Sequence, residues 1–104
     1  MPERFSQLRL AETLGDLKAE RKLTYRQLES MSKLSAGHWH HMIMGKRDNP
    51  SDVTIFRMAQ TLKIAPEFFI EWRARRVAEV LLDNPEVCDK LYIELCEGES
   101  NEDC

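Results

Sequence analysis

The side chains best suited to chemistry in this sequence are three histidines, His38, His40 and His41, within the segment 36–44. A neutral imidazole can donate a hydrogen bond to N7 of guanine or adenine, and a protonated imidazole attracts phosphate. The segment contains no acidic residue. Because a carboxylate inside a DNA groove is repelled by the surrounding phosphates, this composition favours a surface that faces nucleic acid.

Two other interpretations of the histidines are weaker. His38 and His41 could both reach a zinc ion, but no third ligand stands nearby at a defined spacing. The histidines could also form a helix surface with no role. No neighbouring nucleophile and carboxylate accompany them, and the sequence has no glycine-rich phosphate loop. We therefore expect no enzymatic activity, no metal, no cofactor and no small-molecule substrate.

Two short helices are predicted to position the histidines. Thr24 and Gln27 form a T-x-x-Q capping box, which predicts the start of a helix over residues 25–32. Ser35 is a second N-cap, so only a short turn separates this helix from the next, which is predicted over residues 36–44. Two helices joined by so short a turn must cross steeply, which is the geometry of a helix-turn-helix.

The second of these helices has an apolar face and a polar face. Trp39, Met42 and Ile43 share the apolar face, because they stand at positions i, i+3 and i+4. Gly45 suits a left-handed cap at the end of the helix. Gly37 has no side chain, so the helix could approach a DNA groove closely at this position. The residues predicted to contact bases are Ala36, Gly37, His38 and His41, with His40 nearer the flank.

Polar and basic residues around the two helices are predicted to hold DNA phosphates. Tyr25 and Arg26 lie at a helix N-terminus, where free N–H groups and the helix dipole favour an anion. Lys46 and Arg47 follow the second helix at once, and Arg47 is the strongest candidate. The full set of predicted phosphate contacts is Thr24, Tyr25, Arg26, Ser35, Lys46, Arg47 and Asn49.

Four further helices are predicted, and strand-like alternation is nowhere sustained. The first covers residues 4–21, and another follows the N-cap Ser51. Pro66 begins a fifth helix, which residues 83–85 interrupt before a last helix over residues 86–97. The chain is therefore expected to be all-α.

At these residues the chain resembles the lambda-repressor-like helix-turn-helix family, also called the Cro/CI-type or Xre family. The resemblance covers residues 10–69 and rests on Leu10, Leu14, Leu17, Arg21, Leu23, Leu28, Leu34, Ser35, Met42, Gly45, Lys46, Arg47, Pro50, Ser51, Ile55, Ala59, Leu62 and Pro66. It implies a five-helix domain whose third helix reads base edges, here with an additional C-terminal helix. The family usually has Gln, Ala and Gly where this chain has Tyr25, Glu29 and Lys33.

Charge is divided unequally along the chain. Residues 1–76 contain 14 of the 15 Lys and Arg and 9 of the 18 Asp and Glu, a net charge of +5, whereas residues 77–104 have a net charge of −8. Such asymmetry suggests a nucleic-acid-binding face. We expect a DNA-binding domain over residues 1–76, a helical extension over residues 77–97 and a disordered acidic tail over residues 98–104.

The cysteines and the hydropathy indicate a protein of the cell interior. Cys88, Cys96 and Cys104 form no C-x-x-C pair, and reduced thiols are expected. No apolar run approaches the ~20 residues that span a bilayer. We therefore expect a cytoplasmic location and no contact with a membrane.

Apolar residues beyond the expected five-helix core have two interpretations. They could cover the core of their own chain, or they could form a homodimer. We favour the dimer, because two-fold symmetry doubles the DNA interface and matches a palindromic operator. The residues concerned are Trp72, Val80, Leu81, Val87, Leu91 and Leu95.

The resemblance and the charge pattern together predict a transcription regulator that binds a double-stranded DNA operator sequence-specifically. A repressor of phage or prophage type is what the resemblance implies. Two alternatives stay open. One is an antitoxin-like or scaffold module that binds a protein through its acidic C-terminal segment. The other is an accessory DNA-binding factor in recombination.

Overall fold

The computed structural model describes residues 4–45 and 49–97, and all regular structure in these ranges is helical, which confirms the all-α class. The elements are α1 (Leu10–Glu20), α2 (Tyr25–Ser32), α3 (Ala36–Ile43), α4 (Asp52–Leu62), a 3-10 turn (Pro66–Phe68), α5 (Ile70–Asp83) and α6 (Pro85–Cys96). Within the described ranges no helix is long and apolar enough to cross a bilayer. The chain divides into two compact units, residues 1–73 and 74–104.

Local capping interactions set the starts of α2 and α3. The Thr24 hydroxyl accepts the N–H of Gln27 at 3.1 Å, and the Thr24 N–H donates to the Gln27 side chain at 2.8 Å, which confirms the capping box. The Ser35 hydroxyl accepts the N–H of His38 at 3.0 Å. A φ of 72° at Gly45 confirms the left-handed conformation after α3. Both helices begin where the sequence predicts, and α3 ends one residue earlier than expected.

The first unit has an apolar core to which α1, α2, α3 and α4 all contribute. Leu14 from α1, Leu28 from α2 and Trp39 from α3 are at most 1% exposed. Ile55 from α4 and Phe69, which precedes α5, have no exposed surface. Burial of each such side chain stabilises the fold by about 1.5–3 kcal/mol. Since α3 packs against both α1 and α2, the core determines which face of α3 remains outside.

The first helix is shorter than the apolar pattern predicts. A helix is expected over residues 4–21, whereas α1 begins at Leu10. The N–H of Ser6 donates to the Phe68 carbonyl at 2.9 Å, and the N–H of Leu10 donates to the Glu71 carboxylate at 3.0 Å. These bonds to distant residues replace the bonds within a helix, so the first described residues run non-helically alongside the start of α5.

The fifth helix also departs from the prediction, because it does not start directly at its proline. A 3-10 turn spans Pro66–Phe68, and Phe69 is extended (φ −85°, ψ 130°) before α5 begins. In this conformation the Phe69 side chain is fully buried. The Arg73 guanidinium donates to the carbonyls of Glu67 and Phe68 at 3.0 and 2.9 Å, which stabilises the turn. The helix is therefore interrupted at Phe69, where the extended backbone accompanies burial of the aromatic ring.

The second unit contains the remainder of α5 and the helix α6. None of its described residues, 74–97, is buried. The Asn84 amide donates to the Val80 carbonyl at 2.8 Å, and Pro85 then begins α6 at a position that needs no N–H donor. The exposed large apolar side chains of the second unit are Val77, Val80, Leu82, Val87, Tyr92, Ile93 and Leu95. The predicted acidic tail, residues 98–104, lies outside the described residues.

The cysteines correct the expectation of reduced thiols. Cys88 is a free thiol, but Cys96 is disulfide-bonded.

Candidate nucleic-acid interface

One face of α3 is open to solvent and carries the predicted base contacts. Gly37, His40 and His41 are exposed, and Ala36 and His38 are half-buried. The imidazoles of His40 and His41 lie with their ring centroids 6.0 Å apart. At least two imidazoles on this helix are therefore accessible to a ligand in solution.

The opposite face of α3 is fixed in the core by Trp39. The Trp39 Nε1–H donates to the Ser32 hydroxyl at 2.8 Å. Ser32 in turn donates to the Leu28 carbonyl at 2.6 Å and accepts the N–H of Leu34 at 3.0 Å. Met42, one turn further on, is 2% exposed. This network ties α3 to the last turn of α2 and so sets the direction in which the histidines project.

Two side chains occupy the N-terminal end of α3. The Ser35 hydroxyl caps the N–H of His38. The carboxylate of Glu29, from α2, accepts the N–H of Ala36 at 2.6 Å. A hydrogen bond to an ionised acceptor is stronger than one between neutral groups. Glu29 stands where the resembled family usually has Ala, and the structure shows that it connects the two helices directly.

Tyr25 connects the start of α2 to both neighbouring helices. Its ring meets the His40 imidazole edge-on, with centroids 5.3 Å apart. The ammonium of Lys18, from α1, lies 4.3 Å from the centroid of the same ring, which is a cation–π contact. Sequence reasoning missed Lys18, because it lies outside the two short helices. Tyr25 therefore packs against His40, a predicted base-contacting residue, and is itself a predicted phosphate contact.

The predicted phosphate contacts lie on the surface wherever the structure describes them. Arg26 and Asn49 are exposed, and Asn49 has a positive φ of 55°. Thr24 and Ser35 are exposed too, although their hydroxyl oxygens already cap helices. Tyr25 is half-buried. Lys46 and Arg47 lie outside the described residues.

The position of Gly37 is open in the isolated protein. A Cβ atom added there would have no heavy atom within 4 Å. Glycine inside a helix is destabilising by roughly 0.5–1 kcal/mol relative to alanine. The fold does not require glycine at this position, and close approach of the helix to a partner would explain it. At Gly15, by contrast, an added Cβ would lie 3.5 Å from Ile43, where α1 packs on α3.

A cleft of about 350 Å³ opens beside the end of α3. Arg9, Gly45, Asn49 and Glu71 contribute to its lining. The Arg9 side chain is 81% exposed, and its guanidinium lies 3.6 Å from the Glu71 carboxylate. The fold thus brings a cation that the sequence analysis did not select into the same cleft as Asn49, a predicted phosphate contact. Arg9 and Asn49 are far apart in the chain, so no local pattern could have paired them.

The predicted dimer residues fall into two groups. Trp72 belongs to the first unit, packs against its core and has its ring centroid 6.3 Å from that of Phe56. The other residues lie in the second unit, and they are Val80, Leu81, Val87, Leu91 and Leu95. All of these are exposed or half-buried. Trp72 therefore packs on the core of its own unit, whereas none of the second-unit residues is buried.

In a comparison with known proteins, no protein-family model, curated protein or solved structure is significantly similar to the chain. Across residues 4–45 and 49–97, no group of three or more His, Cys, Asp or Glu side chains could hold a metal ion.

Proposed function

We propose that this chain is a sequence-specific DNA-binding transcription regulator that places α3 in the major groove of double-stranded DNA. In this proposal α2 and α3 form a helix-turn-helix of the lambda-repressor-like type, with α3 as the recognition helix. The contrast between the two faces of α3 carries the proposal. Trp39 and Met42 are buried, whereas Gly37, His40 and His41 are exposed on a helix that has no carboxylate.

The charge of the first part of the chain supports the same function. Residues 1–76 have a net charge of +5 although the whole chain has a net charge of −3. A basic surface attracts DNA of any sequence and orients the protein on the backbone. If about five to seven phosphates are neutralised, the logarithm of the binding constant should fall with the logarithm of salt concentration at a slope of roughly −5 to −6.

Different residues would supply specificity and general affinity. His41, which is exposed, would read base edges, with His38 beside it. Arg26, Arg47 and Arg9 would contact phosphates. An imidazole makes fewer simultaneous bonds to a base than the bidentate Arg, Asn or Gln, so DNA shape would contribute part of the preference.

A homodimer would complete the DNA-binding form. The described residues of the second unit include no buried side chain but several exposed apolar ones. A pair of helices with no buried residue gains little from the hydrophobic effect until another surface covers it. A second copy of the chain would provide that cover and would match the symmetry of a palindromic operator.

Repression of phage or prophage type is the form of regulation that the resemblance suggests. The proposal is tested by gel-shift assays of the full chain on restriction fragments of its source genome. A sharp band on few fragments, lost as salt is raised, is the expected result. Absence of any shift at low salt would contradict the proposal.

A second candidate function is binding to a basic protein partner, as an antitoxin-like or scaffold module. Two features of the second unit favour it. Several of its large apolar side chains are exposed, and residues 77–97 contain six Asp and Glu against the single basic residue Lys90. The two candidates differ in where binding resides. Substitutions on α3 distinguish them, because they should abolish DNA binding but leave capture of a basic protein by the second unit unchanged.

A further inference from the structure

Glu29 is the only carboxylate between Glu20 and Asp48, and the same stretch contains six Lys and Arg. Its side chain is exposed on α2. One of its carboxylate oxygens accepts the N–H of Ala36 at 2.6 Å, so a negative charge lies at the first residue of α3. Glu29 is therefore opposite in charge to every other ionised side chain of this stretch apart from the histidines.

The start of a helix normally attracts anions, since its first N–H groups point outward and the helix dipole is positive there. On a DNA-binding surface, any backbone phosphate could use such a site whatever the base sequence. In α3 the Ser35 hydroxyl takes the N–H of His38 and the Glu29 carboxylate takes the N–H of Ala36. A phosphate that approached this end would meet the negative charge of Glu29, and two of the first three N–H groups would already have acceptors.

We propose that Glu29 is a specificity residue of the DNA-binding surface, an inference that rests on the function proposed above. Its carboxylate holds the first turn of α3 and keeps phosphates away from it. Binding must then draw a larger share of its free energy from base contacts and less from sequence-independent attraction. Glu29 acts through the position and charge of α3, and it is a positioning residue with no base contact of its own.

Two substitutions separate the hydrogen bond from the charge. Glu29→Gln keeps an oxygen that can accept the Ala36 N–H but removes the charge, and Glu29→Ala removes both. Glu20→Gln is the matched control, because it makes the same change of charge on an exposed side chain that lines a different cleft, with Arg4 and Phe68. Each full-length variant is titrated by fluorescence anisotropy against two labelled duplexes. One has mixed sequence, and the other is selected by the wild-type protein from a random pool.

Glu29→Gln should raise affinity for the mixed-sequence duplex about three- to fivefold. It should also steepen the salt slope by about 0.9, which corresponds to one additional phosphate contact. Affinity for the selected duplex should rise less, so the ratio of specific to non-specific binding falls. Glu29→Ala should also lower the melting temperature by about 4 °C, because α3 loses a cap. Glu20→Gln should change both affinities equally and by less than about twofold.

Suppose that the wild-type protein binds its selected duplex and that Glu29→Gln changes the affinities and the salt slope no more than Glu20→Gln does. This result would overturn the proposed role of Glu29 and leave the proposed function standing. A change of preference at a single base position would also overturn it, since Glu29 would then read a base directly. If the wild-type protein and every variant fail to bind either duplex at low salt, the proposed function and this inference both fail.

Discussion

The indole N–H of Trp39 donates to the Ser32 hydroxyl at 2.8 Å inside the core, and this bond joins α3 to the last turn of α2. Ser32 is only 6% exposed and Trp39 has no exposed surface. The bond matters for the proposed function because it fixes the rotation of α3 about its own axis. That rotation decides whether the histidines or the apolar side chains point outward.

Replacing Ser32 with alanine should destabilise the protein by about 1–3 kcal/mol, because the buried Trp39 N–H would lose its acceptor. Urea unfolding followed by tryptophan fluorescence measures this change. Ser30→Ala is the control, since Ser30 is exposed on the same helix and its loss should alter stability by less than about 0.5 kcal/mol. Equal effects of the two substitutions would show that the Trp39 bond contributes nothing measurable.

Replacing Gly37 with alanine should separate folding from DNA binding. The free energy of unfolding should rise by about 0.5–1 kcal/mol, because alanine favours a helix and the added methyl group has open space. Affinity for the selected duplex should nevertheless fall, by about 1–3 kcal/mol, if the methyl group meets the floor of the groove. Thermal melts and anisotropy on the same preparation test both effects. Affinity that rises together with stability would mean that the first turn of α3 does not approach DNA.

His41→Ala and Arg26→Ala should weaken DNA binding in different ways. Loss of the His41 imidazole should relax the preference at one base position by about 1 kcal/mol and leave non-specific binding nearly unchanged. Loss of the Arg26 guanidinium should weaken binding to all duplexes alike and reduce the salt slope by about 0.9. Arg47→Ala should behave as Arg26→Ala does. Competition titrations with single-base variants of the selected duplex distinguish these results, and indistinguishable variants would refute the division between base and phosphate contacts.

Leu95→Glu should dissociate the proposed homodimer, because it places a charge on the apolar surface of α6. Sedimentation equilibrium at micromolar concentration should show a monomer for this variant and a dimer for the wild type. Leu82→Glu is the matched control, since Leu82 is 79% exposed and lies outside the predicted dimer residues. Because residues 77–97 have a net charge of −5 in each copy, added salt should strengthen the dimer while it weakens DNA binding. A wild-type protein that sediments only as a monomer would exclude the dimer.

The starts of α2 and α3 could be predicted because their determinants are local. The Thr24 capping box and the Ser35 cap act within three residues along the chain, and the structure shows both. The spacing of Trp39 and Met42 likewise predicted which face of α3 is buried. These features depend on helix periodicity and on short-range hydrogen bonds, so they can be recognised without knowledge of the rest of the fold.

By itself, then, the sequence determined the all-helical class, the starts of the two short helices and the polar face that α3 presents. Tertiary structure alone decided that residues 4–9 are not helical and that Phe69 interrupts the approach to α5. It also decided that Glu29 meets Ala36 and that Arg9 lies in one cleft with Asn49. The physical reason is that such contacts join residues from different elements. Their relative placement follows from packing the whole core, which no local pattern in the chain specifies.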